Sequence, residues 1–523
     1  MNQPAAASPP RDAAPAIELK GICKAFGPVQ ANQDVSLSVE AGSIHGIVGE
    51  NGAGKSTLMS ILYGFYEADS GSIEVKGKPA AIEDSADAIG LGIGMVHQHF
   101  MLVPVFSVLE NVMLGVEGGA LLAPGKRRAR KEIARIGEDY GLKLDPDELI
   151  ENLPVGVRQR VEIVKALYRG AEILILDEPT GVLTPQEADA LFDILRTLKE
   201  RGETVILITH KLREIMAVTD RVSVMRGGKL VATRETAATN PAELAELMVG
   251  RKVLLQVDKQ PREPAEVRLA AEGLTVVDGQ GVERVKDVSF SVRAGEIVGV
   301  AGVSGNGQDF LLEALAGIRA PARGTISILD LQISPERPAD PAEVRRHGAG
   351  HVPEDRHAMG LVMNYTAEHS LMLGYHRHPR FRRSWLLDAG AIRRHAARVL
   401  PEYDVRPAEP RLRSADFSGG NQQKIVLARE MDEHPQVLLV GQPTRGVDIG
   451  AIEAIHRRIL ALRLAGCAIL LVSFELDEIM SLADRIIVMN AGEIVGTVAA
   501  EGADDHELGL MMAGIRPGEQ KAA

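Results

Sequence analysis

Short aliphatic runs, each closed by glycine or a polar pair, recur along the chain. Ile44 to Val48, Ile173 to Leu176 and Thr204 to Ile208 read as buried strands. Leu58, Ile61 and Leu62 recur at helical spacing just after the first of these. Ile17 to Glu40 reads as two antiparallel strands around the turn Phe26-Gly27-Pro28. Ser72 to Val75 and Gly94 to His97 read as short strands, with Gln98 at the edge of the latter. Val108 to Leu142 is mostly helical, with Gly and Pro breaks near residues 115 to 125. Leu153 to Arg160 leads into a helix ending at Arg169. Asp177-Glu178-Pro179-Thr180 closes one strand and Thr209-His210 closes another, while Arg221 to Met225 runs into a Gly227-Gly228 turn.

The pattern then repeats. Val288-Ser289-Phe290-Ser291-Val292 echoes Val35-Ser36-Leu37-Ser38-Val39, and Gly295 to Gly299 echoes Gly42 to Gly46. Gly302 stands 253 positions after Gly49, whereas Phe417 stands 264 after Leu153. The second copy therefore carries a modest insertion in its middle. The expected organisation is a flexible tail (1–16), a first domain (17–250), a charged, Pro-containing linker (251–266), a second domain (267–516) and a short tail (517–523).

Composition narrows the class. With 45% hydrophobic but only 3% aromatic residues, the cores must be aliphatic. A net charge of −12 argues against a protein that coats nucleic acid. Two cysteines, Cys23 and Cys467, cannot build a disulfide framework and fit a reducing compartment. No apolar run approaches the ~18 residues of a membrane span.

The chemistry concentrates in Gly49-Glu50-Asn51-Gly52-Ala53-Gly54-Lys55-Ser56-Thr57, which fits G-x-x-x-x-G-K-[ST] between a strand and a helix. The glycines let backbone N–H groups close around phosphate oxygens, and the helix N-terminus adds partial positive charge. Lys55 adds a full cation, and the Ser56 hydroxyl suits Mg²⁺. The copy at Gly302-Val303-Ser304-Gly305-Asn306-Gly307 keeps the glycines but places Gln308 and Asp309 where Lys55 and Ser56 stood.

The phosphate loop, Gln98, Asp177-Glu178, His210 and the tetrad Phe417-Ser418-Gly419-Gly420 before Asn421-Gln422 resemble an ABC-type ATPase. The likeness runs from about Ile17 to Gly514. The tandem arrangement is similar to the ATP-binding subunit of bacterial sugar and nucleoside importers. Met95 to Pro104, Val352 to His357 and Gln442 to Gly446 look more like the nucleoside branch. The resemblance implies an α/β fold of two tandem P-loop ABC ATPase domains. Each would have a mixed-sheet core, an antiparallel β subdomain and a helical subdomain.

It also implies that two units pair head to tail, each nucleotide lying between one unit's phosphate loop and the other's signature. On that expectation Gly49 to Thr57 hold the ATP phosphates, with Ser56, Gln98 and Asp177 serving Mg²⁺, Asp177 through water. Glu178 is the general base or water-orienting group, Gln98 contacts the attacking water, and His210 bonds the γ-phosphate. Ser418, Gly419, Gly420 and Gln422 face that phosphate from the second unit, with Asp448 in the loop linking the two sites. Phe26 either stacks on adenine or simply packs. The other site lacks its parts. Gly441-Gln442 replace the carboxylates, Glu354 stands at the Gln98 position, and Phe474 stands at the His210 position. Its signature, Leu153-Pro154-Val155-Gly156-Val157-Arg158, lacks the serine, and Thr184 replaces the Asp448 counterpart. Asp309 either repels phosphate or ligates a metal.

The expected function is therefore the ATPase of a bacterial importer for a nucleoside. A simple sugar such as ribose or galactose is the alternative, and a soluble tandem protein acting on ribosomes a remote one. Its partners would be two membrane permeases, docking near Gln98 to Gly115 and Glu354 to Gly374, and an extracytoplasmic solute-binding protein, with no nucleic acid. The chain would lie peripherally on the cytoplasmic face of the inner membrane. His97 and His99 lack carboxylate or thiolate partners for a metal. The basic run Lys126 to Arg135 reads as a solvated helix face. Arg377 to Arg383 reads the same way, contact with anionic lipid heads being the alternative.

Overall fold

A computed structural model describes residues 14–97, 100–116, 122–181, 183–252, 259–303, 305–447 and 449–516. The chain divides into two compact units between residues 253 and 254.

In the first unit six strands form one sheet. Their order is Lys229–Glu235, Arg221–Arg226, Ile44–Gly49, Thr204–Thr209, Ile173–Asp177, Ile93–Val96. All neighbours are parallel except the first pair, which is an antiparallel hairpin closed at Gly227-Gly228. The aliphatic runs are continuous because both faces of this sheet are covered. Along Ile173–Asp177, Ile173 and Ile175 point into one core with Leu58, Leu62 and Ile208. Leu174 and Leu176 point into the other with Val112, Val161 and Leu195. A second, four-stranded antiparallel sheet packs on the first face: Val29–Val39, Ile17–Phe26, Ser70–Val75, Lys78–Ala80. Helices including Val108–Met113, Leu122–Tyr140 and Val155–Tyr168 cover the other face.

The second unit repeats both sheets in the same spatial order. Its six-stranded sheet runs Glu493–Ala499, Arg485–Asn490, Ile297–Ala301, Ala468–Val472, Val437–Gly441, Ala349–Val352. The alternation recurs: Val437 and Leu439 face one core, Leu438 and Val440 the other. Lys259 and Gln260 belong to this unit's surface, since Lys259 pairs with Asp484 at 2.9 Å and Arg463 donates to the Gln260 carbonyl at 2.8 Å.

In each unit the helix following the signature is fastened to the segment that leaves the edge strand. In the first, Glu162 accepts from the Met101 amide (2.6 Å) and Lys165 donates to the Met101 carbonyl (2.9 Å). In the second, Arg429 of the helix Gly419–Met431 donates to the Gly360 carbonyl at 2.7 Å. Its neighbour Glu430 is fully buried and accepts from Arg429 (2.7 Å), Arg345 (3.0 Å) and Tyr375 (2.8 Å). Burial works against this carboxylate, but the two guanidinium groups hold it below the ordinary range. Removing it would strand two partly desolvated cations. Glu430→Ala is expected to destabilise the second unit by about 3–5 kcal/mol in urea denaturation; a loss below about 1 kcal/mol would show that the cluster is not a structural tie.

Candidate nucleotide site

The phosphate loop is built by close approach. Gly54 sits at φ +94°, and a Cβ there would lie 2.2 Å from the Ala31 carbonyl oxygen. The buried Asn32 amide donates to the Gly54 carbonyl at 3.1 Å, fixing the loop against the antiparallel sheet. From this loop the helix Lys55–Leu62 begins. Lys55 is buried, and its ammonium donates to the carbonyls of Gly49 (2.7 Å) and Glu50 (3.1 Å). Burial lowers its pKa, and the carboxylates of Glu178, Asp177 and Glu50 oppose that shift.

Asp177 ends its strand inside the sheet, opposite Ile208. Burial, and then the adjacent Glu178, push its carboxyl above the ordinary range, while a hydrogen bond from Ser56 and the charge of Lys55 pull the other way. Ser56 and Asp177 thus present oxygen donors of the kind Mg²⁺ takes. Among the described residues no cluster of three or more His, Cys, Asp or Glu is placed to hold a metal.

Glu178 leaves the strand at φ +46°, in the left-handed region, with its amide bonded to the Ile208 carbonyl at 2.9 Å. The kink turns its side chain to His210, whose Nδ1 lies 2.9 Å from Oε1. Burial would raise the Glu178 pKa, but the His210 hydrogen bond and the nearby cations Lys55 and Lys211 outweigh it and hold the group below the usual range. The carboxylate is thereby kept ionised and oriented, as a water-activating base requires.

Three contributors were not marked by any motif. Asn32 braces the loop. Glu214, on the helix Leu212–Val218, accepts from Thr180 and ties down the turn after Glu178. Tyr66 stands edge-on to the exposed Phe26, ring centroids 5.1 Å apart, so Phe26 is half of an aromatic pair. None has a spacing rule that sequence could reveal, because each acts from a different element. Gln98, His99, Ser304 and Asp448 lie outside the described residues.

The second unit keeps this backbone and loses its chemistry. Gly307 repeats φ +94°, and Gln442 sits at φ +49° with its amide on the Val472 carbonyl at 2.8 Å, as Glu178 does on Ile208. Gln308 is buried where Lys55 was, and its amide donates to the Val303 carbonyl at 3.3 Å. Gly441 stands where Asp177 was, and Glu354 fills the space: a Cβ on Gly441 would fall 2.6 Å from the Glu354 Cγ.

The signatures differ as sharply. Ser418 is exposed at the N-terminus of Gly419–Met431, its hydroxyl accepting from Asn421 at 2.9 Å. Gln422 is buried and braces the turn, donating to the carbonyls of Ser414 (3.0 Å) and Phe417 (3.1 Å) and meeting His357 at 2.8 Å. In the first unit Pro154 takes the serine's place ahead of Val155–Tyr168 and offers no hydroxyl, though in neither unit does a side chain cap the helix.

Two similar units, each with a phosphate loop between a parallel strand and a helix, define a tandem P-loop nucleotide-binding protein. The family model described as ABC transporter matches residues 32–181 and 285–445. The chain belongs to the ABC transporter family. It is 46% identical to the nucleoside import ATP-binding protein NupA of Lactococcus lactis subsp. cremoris, over 95% of this chain and 98% of that one. It is also 46% identical to the guanosine import ATP-binding protein NupO of Bacillus subtilis (95% and 97%). With the glucose import ATP-binding protein TsgD13 of Haloferax volcanii it shares 43% identity (96% of each chain). Among solved structures, an archaeal ribosome recycling factor in complex with the ribosomal stalk protein aP1 matches 92% of this chain and 90% of its own at TM-score 0.61. At 19% identity that likeness concerns the fold alone.

Burial, then Asp309, push the Glu354 carboxyl up to about 7, against the opposing charge of Arg445. Its folded value lies above that of the unfolded chain, so the native state holds the proton more tightly. Stability contributed here is present below about 4.5 and falls as pH rises to about 7. Glu354→Gln is expected to flatten that slope, worth at most about 3 kcal/mol, in urea midpoints compared at about pH 5 and about pH 8. An unchanged slope would mean that Glu354 is solvated.

Proposed function

We propose that the chain is the ATP-hydrolysing motor of a nucleoside importer and that it carries one competent catalytic site. The observation that carries the reading is the contrast between the two units. The same kinked backbone presents Glu178 beside His210 in one and Gln442 in the other. The 46% identity to nucleoside and guanosine import proteins over nearly the full chain supports the solute class. The glucose import relative at 43% keeps a simple sugar as the second reading. Identifying the solute retained by the partner binding protein decides between them.

In this reading Lys55 and the loop amides neutralise the phosphates, and Glu178, oriented by His210, takes the proton of the attacking water. When bound, Mg²⁺ would be held by Ser56 and, through water, Asp177, and would supply charge neutralisation at the phosphates. Gln98 completes the set. The losses are complementary: the unit with the intact loop has the proline-bearing signature, and the unit with the altered loop keeps Ser418-Gly419-Gly420.

Among the described residues no helix is long and apolar enough to cross a membrane, and the likeness to import ATP-binding proteins supports membrane permeases as partners. We place two of them, with an extracytoplasmic binding protein, and the chain peripherally at the cytoplasmic face. Exposed apolar side chains support docking at Gln98 to Gly115 and Glu354 to Gly374. Met101 and Val105 are 59% and 66% exposed in the first segment, and Met359 and Tyr365 are 40% and 46% exposed in the second.

Glu178→Gln should lower steady-state ATP hydrolysis by about 10²-fold or more while ATP binding persists. Near-normal turnover in that variant would remove Glu178 from the catalytic role. Gln308→Ala should leave hydrolysis within about twofold of the parent, in a phosphate-release assay with and without the permeases. A large loss would make the second loop catalytic.

A further inference from the structure

The second unit carries a small hairpin, Arg382–Arg383 paired with Leu386–Leu387, in the stretch where its insertion falls. Its base is fixed. Phe381 is fully buried with Met372 and Ile392, and its ring meets His395 edge-on at 5.0 Å. The Asp388 amide returns to the Phe381 carbonyl at 2.8 Å, and Asp388 then caps the helix Ala389–Glu402. Its tip is not covered. Trp385 is 76% exposed, and Leu386 and Leu387 are 55% and 51% exposed, so three large apolar side chains stand in water on a pinned turn.

The surroundings of the tip are cationic. Arg382 and Arg383 lie on the hairpin and Arg377 just before it; all three are exposed and none forms an ion pair among the described residues. Arg380 alone of this group is neutralised, by Glu433. A chain of net charge −12 therefore concentrates unpaired positive charge around Trp385, the most exposed large apolar side chain among the described residues. Within a Debye length of roughly 8 Å the local charge, not the net charge, decides attraction.

We propose that this hairpin docks on an anionic lipid surface, with Trp385 and Leu386–Leu387 entering the headgroup–acyl boundary and Arg377, Arg382 and Arg383 meeting the lipid phosphates. An amphipathic tryptophan beside leucines, ringed by arginine, is the composition that settles at that boundary. Chain continuity favours it too: the hairpin follows directly on Glu354 to Gly374, where docking of a permease is proposed above. The inference shares that peripheral placement but is testable with neither permease nor nucleotide, so its failure would leave the ATPase reading intact.

Trp385 is the single tryptophan of the chain, so intrinsic fluorescence reports the tip alone. The experiment mixes the full chain with vesicles of phosphatidylethanolamine and phosphatidylglycerol, or of phosphatidylcholine only. A blue shift and quenching by lipids brominated on the acyl chain are expected with the anionic vesicles and not with the neutral ones. Arg382→Ala with Arg383→Ala should weaken partitioning about 30-fold. Leu386→Ser with Leu387→Ser, on the exposed tip, should abolish the quenching with the circular dichroism spectrum unchanged. Unchanged Trp385 emission on anionic vesicles would overturn the proposal, as would equal shifts on both vesicle types. A shift that appears only when permeases are reconstituted would assign the tip to protein and overturn it equally.

Discussion

A lysine ammonium buried at the C-terminal end of a parallel sheet is the constraint around which the first unit is arranged. Lys55 is desolvated, and a cation removed from water must be surrounded by oxygen. It finds the Gly49 and Glu50 carbonyls directly and the carboxylates of Asp177 and Glu178 at longer range. Those carboxylates are buried in turn, and being adjacent they resist ionising together. His210 and Ser56 relieve them, one at each carboxylate. Every charged group in the site is therefore held by another, and the set suits a ligand that brings its own negative phosphates and a divalent ion.

Removing the lysine unravels that mutual dependence, and the second unit shows how. Once Gln308 replaces the cation, a carboxylate at the strand end has no counter-charge, and Gly441 stands there. The vacated space admits Glu354, whose carboxyl is shifted toward neutrality by burial. What survives is the architecture: the αL glycine before the helix and the left-handed residue after the strand. Backbone strain of this kind costs on the order of 1 kcal/mol or more and is kept only where the surrounding packing over-determines it. Its persistence at Gln442, where no carboxylate remains to be presented, shows that the parallel sheet and its covering cores dictate the kink. Glu178, proposed above as the catalytic base, uses a turn that the fold imposes.

The sheets, the duplication and the phosphate loop were legible in the sequence because each follows from local chemistry. Alternating burial makes Ile173 to Leu176 a continuous aliphatic run, and the loop needs its glycines at fixed spacing. The edge strand Lys229–Glu235 was less legible, because a half-exposed strand of mixed polarity lacks that signal. Contacts between distant elements were also hidden: Asn32 under Gly54, Glu214 under Thr180, and Glu354 leaning into the space beside Gly441. The cluster at Arg377 to Arg383 read as a solvated face, with contact to anionic lipid heads as the alternative. Only folding shows that a buried Phe381 turns it into the pedestal of an exposed Trp385.

If the first unit's site is the sole competent one, the chemistry of the whole chain is asymmetric. The most direct test is a rapid-quench pre-steady-state experiment, with ATP in excess, on the chain reconstituted with its permeases, counting phosphate formed per chain in the burst. One phosphate per chain is the expected result. A burst of two would contradict the assignment, since it would require hydrolysis at a loop with neither lysine nor strand-end carboxylate.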